Sequence, residues 1–385
     1  MKYRHLEIEC IDTKQYTIKN LASRRYVKMG ARETKYLLQC IECPKDEFNF
    51  EDIEQLNQEE QKIMDEKFQE WGFLDENQVI EEKKDITKIK ICEINPSEFL
   101  SKVPRFIQNL FSFRGALLIL ALTVAAFYLI FKNPELVLNT AVECLHMAWY
   151  DYVIFYVLMV LTTMLHEFGH AICCNRNGGK VSSMGLMLFF LMPCFFCDVS
   201  DIYMFKNKKK SFGVAVSGIA TNYAMGLIGC LVFFALAANN IYAPILLFYF
   251  FANIGFVVFN LIPFVKLDGY WVATALIDVD NLMDKSILMF FTGLIKPREL
   301  KAIACTKMKK AMLFIYGFSA IIFRPIFWVI SVYSAYEFLD SKNLVYLSGV
   351  VVGFVLVVIY KDISDLLKRY VEMYKNQKQR VFGMI

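Results

Sequence analysis

The spacing of apolar and polar residues changes character near residue 110. Before that point apolar residues come in short alternating stretches, such as Tyr16-Thr17-Ile18-Lys19 and Arg25-Tyr26-Val27-Lys28, which read as half-buried strands. Residues 32–43 and 51–70 read as helices. Leu37, Leu38 and Ile41 share one face of the first, and Ile53, Leu56 and Ile63 fall near one face of the second. Trp71-Gly72-Phe73-Leu74 is a helix stop, and residues 86–94 suit a closing strand. Residues 1–95 therefore predict a small mixed α/β domain. Beyond them, apolar runs at roughly 115–131, 150–174, 211–237, 242–264, 311–336 and 344–360 are mostly long enough to cross a hydrocarbon core of ~30 Å. The run 184–197 is too short for a helical span and contains Pro193, which suits a re-entrant strand or loop. The expected fold is an α-helical polytopic membrane protein, with about six spans, a re-entrant segment and a small N-terminal α/β domain. Residues 1–100 form the cytosolic part and residues 101–385 the membrane-embedded part.

Charge orients these spans. Residues 1–100 carry 16 Lys+Arg against 22 Asp+Glu, a net of −6, whereas the remainder carries 26 against 16, a net of +10. The basic surplus lies in the linker 101–114, in Arg176 and Lys180, in Lys206 to Lys210, in the expected loop 285–310 and in the tail from Lys361. All of these fall on one side if 184–197 does not cross, so both termini are expected on the cytoplasmic face of the cell membrane. No basic run is interleaved with stacking aromatics, so a nucleic-acid partner is not expected. The 11 cysteines, an odd number and several within apolar runs, argue for reduced thiols rather than a disulfide framework. The opening Met-Lys-Tyr-Arg-His-Leu-Glu has no apolar core, so no cleavable signal peptide is expected.

Chemistry concentrates in one helix. Of only four histidines, His5, His146, His166 and His170, the last two stand four residues apart inside an apolar run, with Glu167 between them. Positions i and i+4 face the same way, so both imidazoles can hold one metal ion. Glu167 lies about 100° round the helix from His166, within reach of a water at that ion. Ionisable groups inside a span are costly and normally mark function. A catalytic zinc needs a third protein ligand and an open position. Asp268, in Asn260-Leu-Ile-Pro-Phe-Val-Lys-Leu-Asp268-Gly269, lies at a matching depth, although it could instead cap the following helix. Asp198 and Asp201 read as a surface turn, and the Cys194/Cys197 and Cys40/Cys43 pairs as ordinary packing.

His-Glu-Phe-Gly-His in an apolar helix, with a downstream Asn-x-x-Pro and Leu-Asp-Gly, resembles the site-2 protease family of intramembrane zinc metalloproteases over residues 150–280. The resemblance implies that His166, His170 and Asp268 bind Zn2+ and that Glu167 is the general base. Ser217-Gly218-Ile219-Ala220-Thr221-Asn222 is similar to the family's Gly-Pro-x-x-Asn element, with Ile219 in place of proline, and marks Asn222, beside Asn260, as a substrate or oxyanion contact. The stretch Pro193 to Asp201 resembles a bacterial subgroup described as peptide zinc metalloproteases, which implies maturation of a small ribosomally made peptide. Residues 1–95 resemble winged-helix domains that grip leader peptides, and their negative charge would suit a basic segment. Two rival readings stand: a regulatory protease releasing a membrane-tethered factor, and a non-catalytic export or immunity component with a structural zinc. Glu167 argues against the last. The expected partners are a peptide or membrane-protein substrate and the lipid bilayer.

Overall fold

The computed structural model describes residues 2–3, 5–12, 15–41, 53–74, 88–189, 192–295 and 306–341, with scattered positions from 349 to 371. It divides into two compact units, Met1–Leu261 and Ile262–Ile385.

The first unit opens with an antiparallel meander of four strands: β1 (Lys2–Tyr3), β2 (Leu6–Asp12), β3 (Gln15–Asn20) and β4 (Tyr26–Gly30). Ile8, Ile18 and Val27 lie in register across it. Helices α1 (Ala31–Cys40) and α2 (Gln58–Trp71) follow, and α1 packs on β3, β4 and α2. The core is Leu6, Ile8, Ile18, Leu37 and Phe68, all fully buried. An Asn57–Glu60 capping box starts α2, and Gly72 ends it at φ 67°, a left-handed conformation that glycine adopts without strain. Both helices and the stop at Gly72 are present, but α2 begins only at Gln58, so Ile53 and Leu56 precede it, and its buried face is Met64 and Phe68 while Ile63 is exposed.

β3 is buried on both faces, which alternation alone would not predict. Lys19 points away from Ile18 and forms a buried ion pair with Asp201, in a short 3-10 helix at Ser200–Met204. Tyr26 donates a hydrogen bond to the same carboxylate at 2.6 Å, and the backbone N–H of Lys180 donates to its other oxygen at 2.7 Å. Burial alone would raise the Asp201 pKa, but the hydrogen bonds from Lys19 and Tyr26 outweigh it and hold the carboxyl below its ordinary value. Asp201 is thus not part of a surface turn. It ties the N-terminal sheet to the segment after residue 180. Asp198 does form a local turn, accepting from the N–H and hydroxyl of Ser200.

The strand expected near 86–94 forms as β5 (Lys88–Ile94), but its partner is β6 (Met184–Phe189), not the N-terminal meander. β6 turns back into β7 (Met192–Cys197), giving a second antiparallel sheet in the order β5-β6-β7. The short apolar run 184–197 is therefore a hairpin, and β5 covers the edge of β6. Gly185 allows this approach, because a Cβ there would meet the Cys92 carbonyl oxygen at 1.9 Å.

The linker 101–114 contains helix α4 (Arg105–Leu110), preceded by α3 (Ser97–Ser101). Then come α5 (Phe113–Lys132), α6 (Pro134–Glu143), α7 (Trp149–Arg176), α8 (Lys208–Ala238) and α9 (Pro244–Asn260). In the second unit α10 (Asp268–Ile277) and α11 (Leu282–Ile295) precede α12 (Lys307–Ser341). α5, α7, α8 and residues Lys307–Ser334 of α12 are long and apolar enough to cross a membrane, and the chain is accordingly a membrane protein. α9, expected to span 242–264, has 17 residues between Pro244 and the break before Pro263. The run expected at 344–360 falls largely outside the described residues. The expected loop 285–310 begins instead as α11, because Leu282, Met283, Ile287 and Met289 are buried with Leu313, Tyr316 and Ala320 of α12.

Candidate metal centre

α7 presents one buried stripe, Met159, Thr162, His166, Gly169 and His170, spaced at three and four residues. The helix forms because the segment is almost continuously apolar, and Ala148 and Asp151 open it. This stripe packs against α8. Close approach depends on Gly169, where a Cβ would lie 2.5 Å from Thr221 Oγ1 and 3.2 Å from the Ser217 carbonyl oxygen.

His166 and His170 are 8% and 7% exposed, and their Nε2 atoms are 3.2 Å apart. The ring planes are inclined at 81°, so the two nitrogens converge rather than stack. His170 Nδ1 is 2.7 Å from the Val214 carbonyl oxygen, which can only accept, so Nδ1 carries a proton, and in the neutral ring Nε2 keeps its lone pair. The Ser217 hydroxyl lies 3.3 Å from the same Nδ1 and itself donates to Val214. Such a partner behind an imidazole fixes ring and tautomer in metal sites.

Residues present here fit a zinc ion. Two tetrahedral ligands at ~2.0–2.1 Å from one ion would stand about 3.4 Å apart, close to the observed separation. Gly218 supplies the space. A Cβ at this position would lie 2.3 Å from His170 Nε2 and 2.6 Å from His166 Nε2, so any larger residue would fill the point at which the two nitrogens aim. Gly218 was visible in the sequence only as part of the Ser-Gly-Ile-Ala-Thr-Asn element.

Glu167, half-buried, lies one position round α7 from His166, on the side where α7 packs against β7, and its charge acts on the Cys197 thiol there. Asn222 is 1% exposed on α8, one turn beyond Gly218. Asn260 is the half-buried last residue of α9. Asp268 belongs to the second unit, where it is the first residue of α10. The capping position is Leu267, and no side chain caps that helix end. The fold of the first unit thus brings together His166, His170, Gly218 and, one turn on, Asn222.

No protein-family model matches this chain, and no solved structure does. Among curated proteins the chain is similar to one from Bacillus subtilis (strain 168) named "Putative peptide zinc metalloprotease protein YydH", at 25% identity over 145 residues. That stretch is 37% of this chain and 56% of the relative, so the chain spans about half the length of the protein it matches. This chain's own histidine pair is preorganised on one metal-sized space.

Proposed function

We propose that this chain is a membrane zinc metalloprotease of the site-2 type, which hydrolyses a peptide bond within or beside the bilayer and matures a small ribosomally made bacterial peptide. One observation carries it: two buried imidazoles, one of them locked in tautomer by Val214, converge on a space kept open by Gly218. His166 and His170 would hold the ion, with Asp268 as third ligand, the carboxylate that completes a two-histidine set and leaves a position for water. When bound, zinc supplies Lewis acidity that activates water and polarises the scissile carbonyl.

The chain's own groups do the rest. Glu167 accepts a proton from the attacking water on its carboxylate and returns it to the leaving amine nitrogen. Val214 keeps His170 oriented throughout. Asn222 and Asn260 offer carboxamide N–H donors to the substrate carbonyl as negative charge develops there.

Residues 1–95 recruit the peptide in this reading, with both termini and the site on the cytoplasmic side. Part of their negative charge is already engaged within the chain: Glu7 lies 3.6 Å from Lys180 and Glu9 3.2 Å from Lys206, pairs with largely exposed lysines. A peptide partner would therefore use the remaining acidic surface and the edge of the meander.

The test is metal analysis of the purified full chain. Near-stoichiometric zinc, lost in the His166→Ala/His170→Ala variant, is expected. Two imidazoles held by a plain hydrogen bond would give no zinc in either protein, and that result would overturn the reading.

A further inference from the structure

Below the histidine pair the interface of α7, α8 and α9 stays polar in a way that the metal centre does not require. Asn222 and Asn253 are 1% and 0% exposed, and the side-chain oxygen of each has no hydrogen-bond partner among the described residues. Asn253 spends its Nδ2 on the Tyr249 carbonyl at 2.9 Å and on Met159 Sδ at 3.9 Å. Beside it, the Thr162 and Tyr249 hydroxyls are hydrogen-bonded to each other.

The two carboxamides lie at neighbouring levels of one helix interface. Gly218, Asn222 and Gly226 recur every four residues on α8 and so form a single stripe. Its upper end, Gly218, faces the histidine Nε2 atoms. Its lower end, Gly226, faces Asn253, whose Cβ would lie 2.9 Å from a Cβ placed there. Asn222 is therefore between the histidines and Asn253, about 6 Å along α8 from each level. A buried amide oxygen without a partner is destabilising, and two at adjacent levels of one helix interface mark a site made for hydrogen-bond donors. The occupant must be small and able to donate at least two hydrogen bonds, because the surrounding stripe is closely packed.

We infer that α7, α8 and α9 enclose a hydrated pocket, in which water donates to Asn222 Oδ1 and Asn253 Oδ1, and that this pocket adjoins the histidine pair and supplies the water consumed there. Buried water in proteins typically makes about three hydrogen bonds to otherwise unsatisfied groups, and the Thr162 and Tyr249 hydroxyls extend the polar lining. The pocket rests on the helix interface alone. Its role as a water source rests on the metalloprotease reading.

X-ray radiolytic footprinting of the full chain in detergent tests the pocket without metal or substrate. Hydroxyl radicals formed from resident water oxidise adjacent side chains, and Met159, in contact with Asn253, is a reactive reporter. Met159 is 8% exposed and Met289, among apolar side chains of the second unit, is 6% exposed. Met159 should be oxidised several-fold faster than Met289 and at a rate approaching that of exposed Met308. Asn253→Leu and, separately, Asn222→Leu should abolish that excess while zinc content stays unchanged. Oxidation of Met159 no faster than Met289 in the unsubstituted protein would overturn the inference, whatever the variants do. Persistent labelling in both variants would overturn the assignment to these carboxamides. A labelled Met159 in a protein without zinc would sink the metal reading and leave the pocket standing.

Discussion

Gly218→Ala puts one methyl group where the histidines converge. The added Cβ would lie 2.3 Å from His170 Nε2 and 2.6 Å from His166 Nε2, whereas ordinary contact begins near 3.4 Å. The rings would have to retreat by about 1.1 Å and 0.8 Å. His170 cannot do so freely, because its Nδ1 is held at 2.7 Å from Val214. Overpacking of this kind costs about 1–3 kcal/mol in stability. The effect on metal is larger, since disturbing groups merely behind the ligands costs 10- to 100-fold in affinity and here the ligand atoms themselves are displaced. Zinc affinity should fall by at least ~100-fold, read by titrating the metal-free protein against a chromophoric chelator. Gly229→Ala is the control. Its Cβ would crowd Tyr249 Cδ1 at 2.7 Å, away from the histidines, so it should lower thermal stability and leave zinc affinity unchanged. Parental zinc affinity in Gly218→Ala would refute the convergence of the two nitrogens on a metal.

Glu167→Gln should retain zinc and lose turnover by roughly 10²–10⁴-fold, the range for removal of a general base, measured on a peptide once a cleaved substrate is in hand. Asp201→Ala leaves Lys19 charged and buried, which should cost about 3–5 kcal/mol, while Lys19→Met/Asp201→Leu should recover most of it. Chemical denaturation compares them, and equal stability of the parent and the single variant would show that the ion pair holds nothing. Because the Asp201 pKa is depressed in the folded protein, its contribution is complete above the ordinary carboxylate range and is lost as pH falls through the lowered value. The parent should therefore lose stability on acidification more steeply than the double variant. Asn57→Ala removes the capping box of α2 and should destabilise that helix and its packing on α1 by about 1 kcal/mol, without change in zinc content.

How much was legible in the sequence follows from the range of each interaction. The helix spacing that aligns His166 with His170, the apolar lengths of α5, α7, α8 and α12, and the stop at Gly72 are local, so neighbouring residues determine them. The strand at 88–94 was equally visible, but its partner was not, because pairing with β6 depends on a contact across about 95 residues that no periodicity encodes. Asp201 looked like a surface turn for the same reason: its meaning depends on Lys19, 182 residues away. α11 was hidden within an apparently basic loop until burial against α12 selected its apolar face. At the candidate site, residue types announced the histidines and Glu167, because paired imidazoles in an apolar helix have few other uses. Gly218 and Asn253 carry no such chemical signature. A glycine becomes the wall of a metal-sized space, and an asparagine an acceptor without a protein partner, only when three helices pack closely enough to keep other side chains out.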